Sequence, residues 1–224
     1  MSLEAIEFVE NPEPRCPVVL LLDTSESMEG KPIDELNAGL ATFKYEVEKD
    51  PLAALRVELC IITFGGEVSC KQGFKTIDEF IAPKLSPKGL SPLGGALEVG
   101  LQKLEERKHL YKKYGIPYYR PWMFLITDGA PTDGMKWYEE GKKAQQLEAD
   151  GHLSFFLIGI EGADMEVLKK IASQDHPPLK MQDLRFKEMF KWLSASVRRV
   201  SSSRVETEMM ALPSVSGWAE ASEG

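Results

Sequence analysis

Two apolar runs that each end in aspartate stand out along the chain, PVVLLLD (Pro17 to Asp23) and WMFLITD (Trp122 to Asp128). Unbroken rather than alternating apolar residues indicate strands buried on both faces. A third run, RVELCIITF (Arg56 to Phe64), is followed by Gly65-Gly66 and then by the more polar EVSCKQGF. That pattern predicts a hairpin whose second strand lies at a sheet edge. HLSFFLIGIE, starting at His152, predicts a further strand, and Leu179 to Met181 a short one.

Helical spacing fills the intervals. Leu36, Leu40, Phe43 and Val47 recur between Pro32, suited to a first helical turn, and the Asp50-Pro51 stop. The loop from Pro83 to Pro92 opens a helix with Leu93, Leu97, Leu101 and Leu104 on one face, and its end, EERKHLYKKYG, reads as a solvated face running into a loop. Helices are also predicted from about Lys136 to Ala149, around Met165, Leu168 and Ile171, and through Phe186, Met189, Phe190, Leu193 and Val197. Strands alternating with helices specify an α/β, doubly wound, mostly parallel sheet with helices on both faces. The expected organisation is an N-terminal arm over 1–14, one domain over 15–200 and a flexible acidic, Ser-rich tail over 201–224. Trp218 is the exception in that tail, since an indole buries little there unless something receives it.

At 224 residues, 43% hydrophobic and 28% charged, the chain is long enough for one well-filled core. A net charge of -8 argues against a nucleic-acid partner, which requires a basic surface. No apolar run reaches the ~20 residues of a membrane span, and MSLEAIEFVENPEPR carries acidic residues where a signal peptide is basic and then apolar. A cytoplasmic protein is expected. Cys16, Cys60 and Cys70 lack CxxC spacing and read as reduced structural thiols, while His109, His152 and His176 are too dispersed for a zinc or catalytic motif. The aromatic residues Tyr111, Tyr114, Tyr118, Tyr119 and Trp122 read first as packing and second as a recognition surface.

The chemistry concentrates where strands end. Asp23-Thr24-Ser25-Glu26-Ser27 follows the first buried strand, Ser91 lies in the loop before the Leu93 helix, and Asp128 ends the second aspartate-terminated strand. In open α/β sheets ligands bind at the carboxyl ends of strands, and carboxylate and hydroxyl oxygens suit a hard cation. The alternative is that Asp23, Ser25 and Ser27 only cap the next helix, that Ser91 caps the Leu93 helix, and that Asp128, Thr132 and Asp133 only shape turns.

Asp23-x-Ser25-x-Ser27-x-x-Gly30, the Gly-Leu-Ser91-Pro-Leu-Gly-Gly loop and Thr127-Asp128-Gly129, in that order, resemble a von Willebrand factor A domain with its metal-ion-dependent adhesion site. The resemblance covers about Arg15 to Val200 and implies a six-stranded sheet with one antiparallel edge strand between helices. It further implies Ser25, Ser27 and Ser91 as direct metal ligands, with Asp23 and Asp128 holding the ion directly or through water. The implied ion is Mg2+, with Mn2+ or Ca2+ as alternatives. Ser91 stands where the family usually has threonine; the hydroxyl is kept and the methyl that restricts its rotamer is lost. Finer features, Cys16-Pro-Val-Val-Leu-Leu-Leu-Asp-Thr-Ser, IITFGGEV, TDGAPTD and the ending Phe190 to Ser196, are similar to the bacterial TerY-like proteins of tellurium-resistance and stress loci.

That resemblance implies a non-enzymatic module whose bound cation takes the acidic side chain of a partner protein. A serine/threonine kinase and a PP2C-like phosphatase are the partners it suggests. Self-association is a further expectation, through Glu206, Glu208, Glu220 or Glu223 of the tail. The enzymatic alternative is a magnesium-dependent phosphatase of the haloacid dehalogenase type using Asp23 as nucleophile. It needs a second acid two residues on, where this chain has Ser25.

Overall fold

The computed structural model describes residues 3–128, 130–205 and 211–221. β1 (Cys16–Asp23), β2 (Val57–Gly65), β4 (Trp122–Thr127), β5 (Ser154–Gly159) and β6 (Leu179–Met181) run parallel. β3 (Glu67–Thr76) and β7 (Ala219–Ala221) pair antiparallel at the two edges. The sheet order is β3-β2-β1-β4-β5-β6-β7. The doubly wound α/β architecture is therefore the one the apolar runs predict, with seven strands in place of six and an antiparallel strand at each edge.

Every residue of β1, β2, β4 and β5 is buried, as unbroken apolar runs require. Alternate residues of β1 serve opposite layers. Val18, Leu20 and Leu22 join α2 (Lys31–Glu48), α3 (Pro51–Arg56) and α7 (Phe186–Ser201) in one core. Val19 and Leu21 join α4 (Leu93–Tyr114), α5 (Lys136–Ala149) and α6 (Met165–Ile171) in the other. The helix after β1 and the helix before β4 thus cover opposite faces, which opens a crevice between the carboxyl ends of these neighbouring strands. Register carries two residues into that crevice: Leu22 pairs with Ile126, so one step further sets Asp23 beside Thr127.

The opposite end of the sheet is closed by a buried ionic cluster that amphipathic spacing does not reveal. Glu58, on β2, accepts from Arg15 Nε at 2.7 Å, from Arg107 Nη2 at 2.7 Å and Nε at 2.9 Å, and from the Tyr111 hydroxyl. Phe8, on α1 (Leu3–Glu10), lies over both guanidiniums at 5.5 and 4.9 Å. The segment expected to be a solvated face is the last part of α4, where Glu105, Glu106, His109, Lys112 and Lys113 are exposed as expected while Arg107, Lys108 and Tyr111 are buried. Tyr119 and Trp122 are buried too, so packing is what these aromatics do.

The tail also departs from expectation. Trp218 is 2% exposed, 5.3 Å from the Trp192 ring, and β7 extends the sheet beyond β6. Leu212 and Val215 pack on the same core, so residues 211–221 are received by the chain's own domain rather than by a partner. Glu220 is opposite Lys180 and accepts from Gln182 Nε2 at 2.6 Å, while Glu206, Glu208 and Glu223 lie outside the described residues. Among the described residues, no helix is long and apolar enough to cross a membrane.

Candidate metal centre

Four segments meet at this edge, the loops after β1 and β4, the turn between β2 and β3, and the loop leading into α4, and their backbones hold them together. Thr24 N donates to Phe64 O at 2.9 Å and Lys88 N to Thr24 O at 2.7 Å. Glu26 N donates to Gly89 O at 2.9 Å, Gly66 N to Leu90 O at 2.6 Å, and Thr132 N to Ser91 O at 3.0 Å. Two glycines permit this approach. A Cβ on Gly65 would sit 2.1 Å from Thr24 O, and Gly89, at φ +63°, would put one 2.6 Å from Gly66 Cα.

Within this frame the side chains form one continuous network around Asp23, which is fully buried. Asp23 Oδ1 accepts from Ser25 N at 2.9 Å and Ser25 Oγ at 2.6 Å, and Oδ2 accepts from Ser91 Oγ at 2.9 Å and Thr127 Oγ1 at 2.7 Å. From Ser25 the chain of hydroxyls continues to Ser27 Oγ at 2.9 Å, which donates to Asp128 Oδ1 at 2.9 Å. Ser25, Ser91 and Asp128 are buried, and Ser27 is exposed, so the cluster meets solvent on the Ser27 side.

All five residues singled out in the sequence, Asp23, Ser25, Ser27, Ser91 and Asp128, are brought together. Capping does not account for them. Ser25 precedes the 3₁₀ turn Glu26–Met28 without a side-chain cap bond, and α2 starts from Gly30. Ser91 turns to Asp23 rather than to the start of α4. Asp133 is the residue that serves α4, through Oδ2 accepting from Gly95 N at 2.8 Å, as expected of a turn residue. Thr127 is the member that sequence reasoning did not single out; its signal is a hydroxyl immediately before Asp128 at the end of an otherwise apolar strand. Gly129 lies outside the described residues.

Electrostatics favour a cation. Burial raises the Asp128 pKa, the Ser27 hydroxyl lowers it, and the nearby Asp23 charge raises it again, leaving it above its ordinary value. A divalent ion between the carboxylates would reverse the repulsive contribution. Among the described residues, no group of three or more His, Cys, Asp or Glu side chains could hold a metal. A cation here would therefore depend on two carboxylates, hydroxyls and water, an oxygen set that fits Mg2+, Mn2+ or Ca2+.

The family model described as von Willebrand factor type A domain matches residues 18–192. Solved structures share the fold at low identity. Pilus adhesin SpaC from Lactobacillus rhamnosus GG has a TM-score of 0.63 and 14% identity over 84% of this chain and 30% of its own. Proximal thread matrix protein 1 from the mussel byssus, with a zinc-occupied metal-ion-dependent adhesion site motif, has a TM-score of 0.56 and 16% identity over 83% of this chain and 48% of its own. The ArnB paralog VWA2 from Sulfolobus acidocaldarius has a TM-score of 0.54 and 16% identity over 82% of this chain and 45% of its own. The chain spans less than half the length of each of these three. No curated protein is significantly similar to it in sequence.

Proposed function

We propose that this chain, which belongs to the von Willebrand factor type A domain family, is a divalent-cation-dependent protein-binding module. Its cation would take an acidic side chain of a partner. The observation that carries this reading is the oxygen network itself: five predicted ligands and Thr127 from three loops, buried except at Ser27. Ser25, Ser27 and Ser91 would be the direct ligands, with Asp23 and Asp128 ordering them and balancing charge directly or through water. When bound, the ion supplies an electrophilic centre for a carboxylate.

Two further observations support the proposal. A polar pocket of about 160 Å³ adjoins the site at Thr24 and is bordered by Lys71, Lys84 and Lys88 against the single carboxylate Glu67, a net positive lining that favours an acidic partner surface. Asp23 is unsuited to nucleophilic attack, because it is fully buried and its two oxygens already accept four hydrogen bonds. The phosphatase alternative also lacks its general acid at Ser25. Our finer reading is a TerY-like, cytoplasmic scaffold of a bacterial tellurium-resistance or stress system, with a kinase and a PP2C-like phosphatase as partners. It rests on the sequence features from Cys16 and to Ser196.

Calorimetric titration with Mg2+, Mn2+, Ca2+ and Zn2+ tests the cation site. Asp23→Asn and Asp128→Asn should each weaken binding at least tenfold in protein that still unfolds cooperatively; undiminished binding in both would falsify the assignment. Retention of kinase or phosphatase proteins from the native cytosol, lost on adding chelator, tests the partner reading.

A further inference from the structure

Cys60 and Cys70 are separated from one another in sequence but share a face of the sheet. Ile62 on β2 pairs with Cys70 on β3, and Cys60 lies two residues before Ile62, on the side covered by α4. The register shifts between Ile61 and Ile62, so that Gln72 and Cys70 face consecutive residues of β2 and Lys71 is passed over. This irregularity leaves the two cysteines diagonally adjacent on that face. Cys60 is fully buried, whereas Cys70 is exposed on the edge strand. All three cysteines are free thiols, as the sequence leads one to expect.

We propose that Cys70 and Cys60 are a peroxide-reactive thiol pair, in which exposed Cys70 is oxidised first and buried Cys60 resolves it. The asymmetry in environment supplies the order of events. Hydrogen bonding from Cys60 lowers the Cys70 pKa to about 6, Lys103 lowers it further from α4, and burial and Glu106 oppose them. The Cys60 thiol is pushed well up, first by that same bond and then by burial, with Lys103 and Arg107 opposing. A thiolate is the nucleophile toward peroxide, and access selects among thiolates.

The chemistry balances with hydrogen peroxide as oxidant. The Cys70 thiolate attacks one peroxide oxygen, the O–O bond breaks, and hydroxide leaves, giving a sulfenic acid. The Cys60 sulfur then attacks the Cys70 sulfur, the S–O bond breaks, and the hydroxyl leaves as water with the Cys60 proton. Two thiols are oxidised to one disulfide and one peroxide is reduced to water. Cys16 provides an internal control, since burial pushes its thiol up to about 12 and it is fully enclosed. The modification would lie on the strand whose Phe64 carbonyl accepts from Thr24 N beside the candidate metal centre.

The test is mass spectrometry of the reduced full chain treated with hydrogen peroxide, alkylated and digested. Two of the three cysteines should be lost as an intramolecular Cys60–Cys70 disulfide, with Cys16 still alkylated after unfolding. Cys70→Ser should protect Cys60 from oxidation, and Cys60→Ala should leave a Cys70 sulfenic acid captured by dimedone. The proposal is overturned if both cysteines of the native chain remain thiols, if Cys70 links only to another chain, or if Cys60 is oxidised equally in Cys70→Ser. Melting curves of both variants establish that the thiol chemistry is being read on folded protein.

Discussion

Thr127 Oγ1 donates to Asp23 Oδ2 across 2.7 Å, joining the last residue of β4 to the last residue of β1. Ser91 Oγ reaches the same carboxylate oxygen at 2.9 Å. Asp23 is thereby held in one orientation by groups from two other segments while its second oxygen holds Ser25. The hydroxyls that a cation would use are aimed before it arrives, so binding would incur little reorganisation.

Thr127→Val keeps the shape of that side chain and removes its hydrogen bond. Because outer groups that orient ligands typically contribute 10–100-fold in metal affinity, calorimetry should show cation binding weakened by about tenfold. The accompanying loss of stability should be about 1 kcal/mol. Unchanged affinity would show that Asp23 is positioned by its other three donors alone.

Gly89→Ala tests the backbone clamp. The added Cβ would meet Gly66 Cα at 2.6 Å, and φ is +63°. A strained residue of this kind costs about 1–3 kcal/mol. The loop carrying Ser91 should shift, lowering the melting temperature and reducing the further rise that Mg2+ produces by binding the folded state. Differential scanning calorimetry with and without Mg2+ measures both effects.

Glu58→Ala acts at the far end of the sheet. It leaves Arg15 and Arg107 buried without their shared carboxylate, and breaking such a pair costs about 3–5 kcal/mol. Chemical denaturation should register that loss, whereas cation affinity of the folded fraction should stay the same. A fall in affinity would reveal coupling between the two ends.

Trp218→Ala separates a packed tail from an idle one. The indole is 2% exposed against Trp192, and truncating a core tryptophan costs about 3–5 kcal/mol. Urea unfolding should show a loss of that order. A change below about 0.5 kcal/mol, the range of an ordinary surface substitution, would mean that residues 211–221 detach readily in solution.

Cys70 should alkylate with a pH dependence set by its thiolate. Its pKa is lowered to about 6, so the iodoacetamide rate should fall off below that pH and level out above it. Cys60→Ala removes the principal donor and should move the midpoint upward, toward the ordinary thiol value of 9.0. Rates that climb steadily through pH 8 in the unaltered chain would contradict the lowered Cys70 pKa.

Burial patterns made much of the architecture readable before folding was considered. PVVLLLD, RVELCIITF, WMFLITD and SFFLIG have the length and β-branched, apolar content of strands covered on both faces, and the amphipathic intervals that of their covering helices. Asp23, Ser25, Ser27 and Asp128 were readable for a related reason, as polar residues just beyond buried strands, and Ser91 through its place in the Gly-Leu-Ser-Pro-Leu-Gly-Gly loop of the family pattern. Thr127 was visible only as part of Thr127-Asp128-Gly129, and its role was hidden because a threonine at a strand end is unremarkable until its neighbour across the sheet is known. Glu58 was hidden likewise, as one acid in an apolar run whose partners Arg15 and Arg107 lie 43 and 49 residues away.

The sequence by itself determined the α/β layering, the order of the central strands and their covering helices and the residue types at the candidate centre, but not α1, α3 or β7, because the former depend on local periodicity and on the polarity of strand ends. Tertiary structure alone decided that Asp23 accepts from Thr127 and Ser91, that Cys60 and Cys70 share a face of neighbouring strands, and that Trp218 has a place on the core. The physical reason is that each of these contacts depends on register and on chain return, which bring together groups that no local spacing relates.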